Sequence, residues 1–198
     1  MSALSLAPVD LAKSYLLLNH GPLTLVSSAA GGRRNVMAAA WAMPLDFNPA
    51  KVAVVIDKTT LTRELVEASG EFVLNLPTRA QAAAVLAAGS LSGRELPAET
   101  DKFARCGLAA LPGRKLGTPL VAGCVGWLEC KLIVEPHNQQ AYDLCIGEVV
   151  GAWADPAVFS DGRWHFPDAD RHTIHYRAGG HFFATGEAFS LPADSSNE

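Results

Sequence analysis

A run of small residues ending in an aromatic, Asn35-Val36-Met37-Ala38-Ala39-Ala40-Trp41, follows the turn Gly31-Gly32-Arg33-Arg34. Methyl-sized side chains let a flat, wide ring come close to the backbone, whose N–H and C=O groups meet its polar edge. Asn35 offers both a donor and an acceptor, and Trp41 is placed to close one rim. Further along, Lys58-Thr59-Thr60-Leu61-Thr62 opens an amphipathic segment. A helix start presents free N–H groups and a partial positive charge. Threonine hydroxyls and the Lys58 ammonium add donors, which suits one phosphate group.

A planar aromatic cofactor with an anionic tail answers to both halves, and flavin mononucleotide (FMN) has that shape. Each half has a plainer reading. The alanines also suit a crowded sheet, and the threonines suit a helix cap beside a solvated lysine. The pattern GxxxxGK[ST] of a nucleotide-binding P-loop is absent, as is a GxSxG nucleophile elbow. The segment from His172 to Phe182 holds His172, His175 and His181. His172 and His175 are spaced for one helical face, but Gly179-Gly180 ends any helix and no adjacent Cys or carboxylate completes a metal set. We therefore assign no metal. His175 and His181 read equally as pocket-lining or as hydrogen-bonded structural residues, with His175 the candidate to touch a reacting group.

These residues need elements to hold them. Positions 23–28 alternate and are β-rich, so they form a strand that turns at Gly31-Gly32. The alanines of 35–41 also suit a helix, but the glycine turn before them and the proline soon after Trp41 point to a second, hairpin-paired strand, with Asn35, Met37, Ala39 and Trp41 on one face. Residues 52–56 form a buried strand, 61–69 a short helix stopped by Gly70, and 71–76 another strand. Thr78 and Gln81 have capping-box spacing and open an alanine-rich helix to Gly89. Residues 90–119 are an excursion with one helical turn near 101–105. Strands return at 123–135, with uneven alternation, at 143–151 and at 182–186. Trp127, Trp153 and Trp164 are read as packing residues. A mainly β fold decorated by helices follows, barrel-like and of one domain over 1–198, with a frayed tail at 192–198.

Composition narrows the function. Hydrophobic residues make up 49% and charged residues 18%, which a packed globule needs and a disordered chain lacks. The formal charge of -4 and the absence of a basic block argue against a nucleic-acid binder. Leu16-Leu17-Leu18 is cut short by Asn19-His20-Gly21-Pro22, too early for a signal peptide or a membrane span. Cys106, Cys124, Cys130 and Cys145 form no CxxC pair, and we expect reduced, buried thiols in a cytoplasmic protein.

Taken in order, several stretches resemble the flavin reductase-like, FMN-binding split-barrel family, and within it the flavoredoxin type. They are 35–41, 52–56 with 58–62, Gly70 to Pro77, Asp101-Lys102-Phe103, Gly117-Thr118-Pro119-Leu120, Trp127-Leu128-Glu129-Cys130, 143–149 and 175–180. Together they cover most of residues 15–190. The resemblance implies a Greek-key split barrel working as a homodimer, with FMN in a groove near the subunit interface. It implies that Asn35, Val36, Met37, Ala38, Ala39, Ala40 and Trp41 flank the ring and ribityl chain. Lys58, Thr59, Thr60 and Thr62 would surround the phosphate. NADH or NADPH would be the donor, and free flavin, a ferric complex or a partner protein the acceptor. A non-catalytic FMN-binding electron carrier is the alternative, and a relative holding a deazaflavin or haem is a third. Ala40 departs from many relatives, in which a serine or another polar residue precedes the tryptophan.

Overall fold

The computed structural model describes residues 22–189 apart from Ala98. The Leu16-Leu17-Leu18 stretch and the 192–198 tail lie outside the described residues. Strand β1 (Thr24–Ala30) turns at Gly31 and Gly32, with φ of 56° and 78°, into β2 (Arg33–Ala39). Two consecutive left-handed residues match the twist of a tight hairpin, and glycine adopts them without strain. The other principal strands are β3 (Ala42–Phe47), β4 (Ala50–Val55), β5 (Glu71–Leu76), β8 (Gly126–Ile133) and β9 (Leu144–Ala154). The short pair β6 (Ala110–Leu111) and β7 (Leu120–Val121) lies within the excursion.

The seven long strands form one antiparallel sheet in the order β2-β1-β5-β8-β9-β4-β3. Strands β2 and β3 thus occupy opposite edges, yet only Ala40 and Trp41 separate them in sequence. Two residues cannot cross a flat sheet, so the sheet curls until its edges approach. The result is a barrel with a seam at Ala40-Trp41, where the Trp41 carbonyl accepts a hydrogen bond from Val55 N–H at 3.0 Å.

The barrel interior holds Val26, Val54, Phe72, Leu74, Cys130 and Cys145, all buried. Gly147 is required there, because a Cβ at that position would lie 2.4 Å from Phe72 Cζ. A second core lies outside β1 and β2, where Leu25 and Val36 meet Val85 of α2 (Ala82–Ser90) and Phe103 of α3 (Lys102–Arg105). Helix α1 (Leu61–Ser69) starts at the Thr60 cap and stops at Gly70 in the left-handed conformation.

Several elements match the sequence expectation closely: α1, β5, and the Thr78–Gln81 capping box before α2. The uneven alternation at 123–135 reflects a register shift between Glu129 and Cys130. Other elements were not expected. Strand β3 carries Pro44, which an edge strand tolerates, and its register shifts just after Pro44. Helix α4 (Pro136–Tyr142) begins on a proline, which the first helical turn tolerates. Strand β12 (Ile174–Ala178) turns through Gly179 and Gly180 into β13 (His181–Ala184), so His172 and His175 share no helix. Between β9 and β12 lies a small hairpin of β10 (Phe159–Ser160) and β11 (Arg163–Trp164).

Candidate functional site

A cavity of about 610 Å³ opens at the barrel seam. Its floor is the end of β2 and the seam itself, Met37, Ala38, Ala39, Ala40 and Trp41. Val55 and Asp57 enter from the end of β4, and Val85, Leu86, Gly89 and Ser90 from α2. Tyr176, Ala178 and Phe182 of the β12–β13 hairpin complete the wall with Leu23. The volume is in the range of cofactor and ligand sites.

Strand alternation explains the floor. Met37 and Ala39 pack toward the barrel interior, while Val36, Ala38 and Ala40 pack toward the outer core. β2 pairs with β1 along one side only and is the terminal strand of the sheet. Its other side therefore carries unladdered backbone groups, a natural partner for the polar edge of a ring. Small residues keep that edge approachable. A Cβ added to Gly89 would sit 3.3 Å from the Ala38 Cβ, so α2 already runs as close to β2 as its atoms allow.

The helix start lies beside this cavity. Thr60 caps α1, accepting from Arg63 N–H at 3.2 Å and donating to the Asp57 carbonyl at 2.8 Å. The Thr59 hydroxyl and N–H both donate to the Asp57 carboxylate, and these bonds hold that carboxyl below its usual range. Lys58 Nζ donates to the Gln140 carbonyl at 2.6 Å and stands 3.6 Å from Asp143. Arg63 is fully buried and spends its guanidinium on Glu67 and on the carbonyls of Ile56 and Gln139. Arg94, which sequence patterning did not single out, donates to the Thr59 and Thr60 carbonyls and pairs with Glu64 at 2.8 Å. It brings a second cation to the same helix start from the segment that follows α2.

The nominated residues do not all meet. Met37 to Trp41 line the seam cavity, whereas Val36 is sealed in the outer core. Asn35 is buried and donates to the Thr62 hydroxyl at 2.7 Å, tying β2 to α1. It lines a different cavity, at the turn end of β2. His175 sits opposite Phe183 in the β12–β13 hairpin, with Nδ1 buried and unpartnered. Its neighbour Tyr176, not His175, reaches the seam cavity. Tyr176 and Phe182 were not found from the sequence as site residues; their hairpin becomes part of the site only by folding back on Leu23, whose N–H donates to the Ile174 carbonyl at 3.0 Å. Trp127 and Trp153 do pack and donate, to the Val121 carbonyl and to Glu129. Trp164 is exposed, tilted against Phe159 and stacked on Phe166. Among the described residues no three His, Cys, Asp or Glu side chains group as a metal set.

The family model for the flavin reductase-like domain matches residues 18–176. The chain belongs to that family. A crystal structure of an FMN-binding domain of a flavin reductase-like enzyme from Shewanella baltica OS155 is 51% identical, covers 93% of this chain and 96% of that one, and superposes with a TM-score of 0.82. Flavoredoxin of Desulfovibrio vulgaris (Miyazaki F) is 29% identical, covers 88% and 92% of the two chains, and has a TM-score of 0.73. The protein YddH of Escherichia coli K12, itself uncharacterised, is 43% identical over 91% of this chain and 95% of its own. The flavin reductase-like split barrel read from the ordered motifs is thus the fold of this chain.

Proposed function

We propose that this chain, folded as one domain, is an FMN-dependent oxidoreductase that takes electrons from NADH or NADPH. It passes them through the flavin to free flavin, a ferric complex or a partner protein. The observation that supports this most is the seam cavity, with an alanine floor, an open strand edge and Trp41 at the rim. The FMN-binding relative from Shewanella, similar over nearly the whole chain, supports FMN as the cofactor.

The cavity residues fit a flavin ring. Ala38, Ala39 and Ala40 would leave its face clear, and backbone groups along 38–41 would meet its polar edge. Val85, Leu86 and Phe182 line the cavity and would shield a bound ring from water. Lys58, Thr59, Thr60 and Thr62, with Arg94, surround the helix start assigned to the phosphate, and Lys58 would release Gln140 to serve it. When bound, FMN supplies the redox chemistry, holding the two electrons that a nicotinamide delivers. Backbone donors along 38–41 would offer stabilisation to negative charge on a bound ring. No side-chain acid or base is required. Tyr176 replaces His175 as the candidate to contact the nicotinamide, because it is the one that lines the cavity.

The similarity to flavoredoxin supports a second reading, an electron carrier that does not itself oxidise nicotinamide. One experiment separates the two. Absorption spectra of the FMN-loaded protein are recorded anaerobically before and after NADH, then NADPH. Bleaching of the flavin bands by either nucleotide supports the reductase. A bound flavin that neither nucleotide bleaches supports the carrier, and failure to retain or titrate FMN at all defeats both.

Homodimer formation and a cytoplasmic location are part of the same proposal. Met43, Leu45 and Phe47 project from the edge strand β3, and Phe47 is 99% exposed. A second copy covering that stripe would remove it from water. The four free, buried thiols suit a reducing compartment.

A further inference from the structure

The outer face of the barrel carries a cavity of about 530 Å³ at the end of the β8–β9 pair. Trp127 of β8 and Trp153 of β9 stand directly opposite each other in the register, and both line it. Leu111, Pro112 and Leu120 add apolar walls, with Ala152 and Arg114. No residue that lines it also lines the seam cavity.

Both indole N–H groups are already committed. Trp127 donates to the Val121 carbonyl at 2.8 Å and Trp153 to Glu129 Oε2 at 2.6 Å. The rings therefore offer apolar faces and no donors. Arg114 sets its guanidinium 4.9 Å from the centre of the Trp153 ring. Among the described residues that guanidinium makes no hydrogen bond and no ion pair, so its N–H fork is free for a ligand.

One buried carboxylate holds this arrangement in place. Glu129 Oε1 accepts from the N–H groups of Arg114, Lys115 and Leu116 at 3.0, 2.9 and 3.0 Å, while Oε2 takes the Trp153 indole. Glu129 thus fixes both the backbone that carries Arg114 and the ring beneath its guanidinium. Gly113 and Gly151 leave room for it, since a Cβ at either would lie 3.1 or 3.2 Å from a Glu129 oxygen. A cation and two rings held in advance spare a ligand the cost of ordering them.

An unpaired guanidinium beside apolar ring faces selects an anionic head on a flat, apolar body. We propose that this cavity is a ligand site, separate from the flavin cavity, for a planar aromatic carboxylate. The carboxylate accepts from the Arg114 fork, and the ring lies against Trp127 and Trp153. The site stands on this cavity alone, so its failure leaves the flavin reading untouched.

The probe is 2-naphthoate, and 2-naphthalenemethanol is its uncharged control. Calorimetric titration of the full chain in excess FMN should give saturable 2-naphthoate binding and none with the alcohol. Arg114→Gln should weaken the probe about tenfold, because a hydrogen bond between charged groups is lost. The Arg114 side chain is exposed and its bond to Glu129 comes from the backbone, so the variant keeps its fold. Lys115→Gln, which removes the neighbouring charge outside the lining, should change the affinity less than about threefold. Ala152→Leu should block the probe by filling the cavity, and FMN titrations should match the parent in all three variants. The proposal is overturned by no saturable binding to the parent, or by equal affinity in parent and Arg114→Gln. Equal weakening by Arg114→Gln and Lys115→Gln would reduce the effect to net charge and also overturn it. So would displacement of FMN by 2-naphthoate, which would give the probe to the flavin cavity.

Discussion

Lys58→Ala tests the phosphate end of the flavin site. The side chain is half exposed, with Nζ 2.6 Å from the Gln140 carbonyl and 3.6 Å from Asp143. Exposed pairs of this kind contribute about 0–1 kcal/mol, so folding should lose little. For a domain of this size the melting temperature should fall by no more than about 4 °C. Asp143 keeps its hydrogen bond from the Lys58 N–H, which the substitution leaves in place. A hydrogen bond between a cation and a phosphate is worth about 1.5–3 kcal/mol, and partial exposure favours the lower end. That corresponds to roughly tenfold weaker FMN binding. Riboflavin lacks the phosphate and provides the internal control. Titration of protein into each flavin, followed by fluorescence quenching, should show FMN weakened about tenfold and riboflavin unchanged. Superimposable FMN curves for mutant and parent would refute the assignment. So would equal weakening of FMN and riboflavin, which would place Lys58 in the scaffold.

Three further outcomes follow from the same geometry. Glu129 is fully buried and accepts N–H bonds from Arg114, Lys115 and Leu116 and from the Trp153 indole. Burial pushes its carboxyl up, but these donors outweigh burial and hold it below the ordinary 4.5. Its stabilisation is then complete above the unfolded glutamate pKa and lost as pH falls through the lower folded value. Glu129→Gln should lower stability at neutral pH and flatten the acid side of a denaturant-midpoint profile; parallel profiles would count against it. Burial raises the Cys130 thiol to about 12 and Cys145 to about 11, so neither should react with Ellman's reagent at pH 8 until the protein is unfolded. Rapid native labelling of either would contradict their packing. Phe47→Asp should convert a dimer to monomer in sedimentation equilibrium while leaving the melting temperature of the monomer unit within a few degrees; an unchanged mass would remove β3 from the interface.

What the sequence determined by itself was local. Capping and stop signals placed α1 between Thr60 and Gly70, because a cap depends on three or four neighbouring residues. The glycine pair placed the β1–β2 hairpin for the same reason. The ordered motifs also carried the family and the alanine floor. Only the folded chain decided which of those residues share a cavity. Residues 35–41 read as one strand, yet the barrel closes between Ala39 and Ala42, so Trp41 leaves the strand and Asn35 faces another pocket. Tyr176 and Phe182 reach the seam through a hairpin more than a hundred residues away. Periodicity records which face of a strand a residue takes. It carries no record of where sheet curvature brings that face, because curvature arises from pairings between segments far apart in the chain.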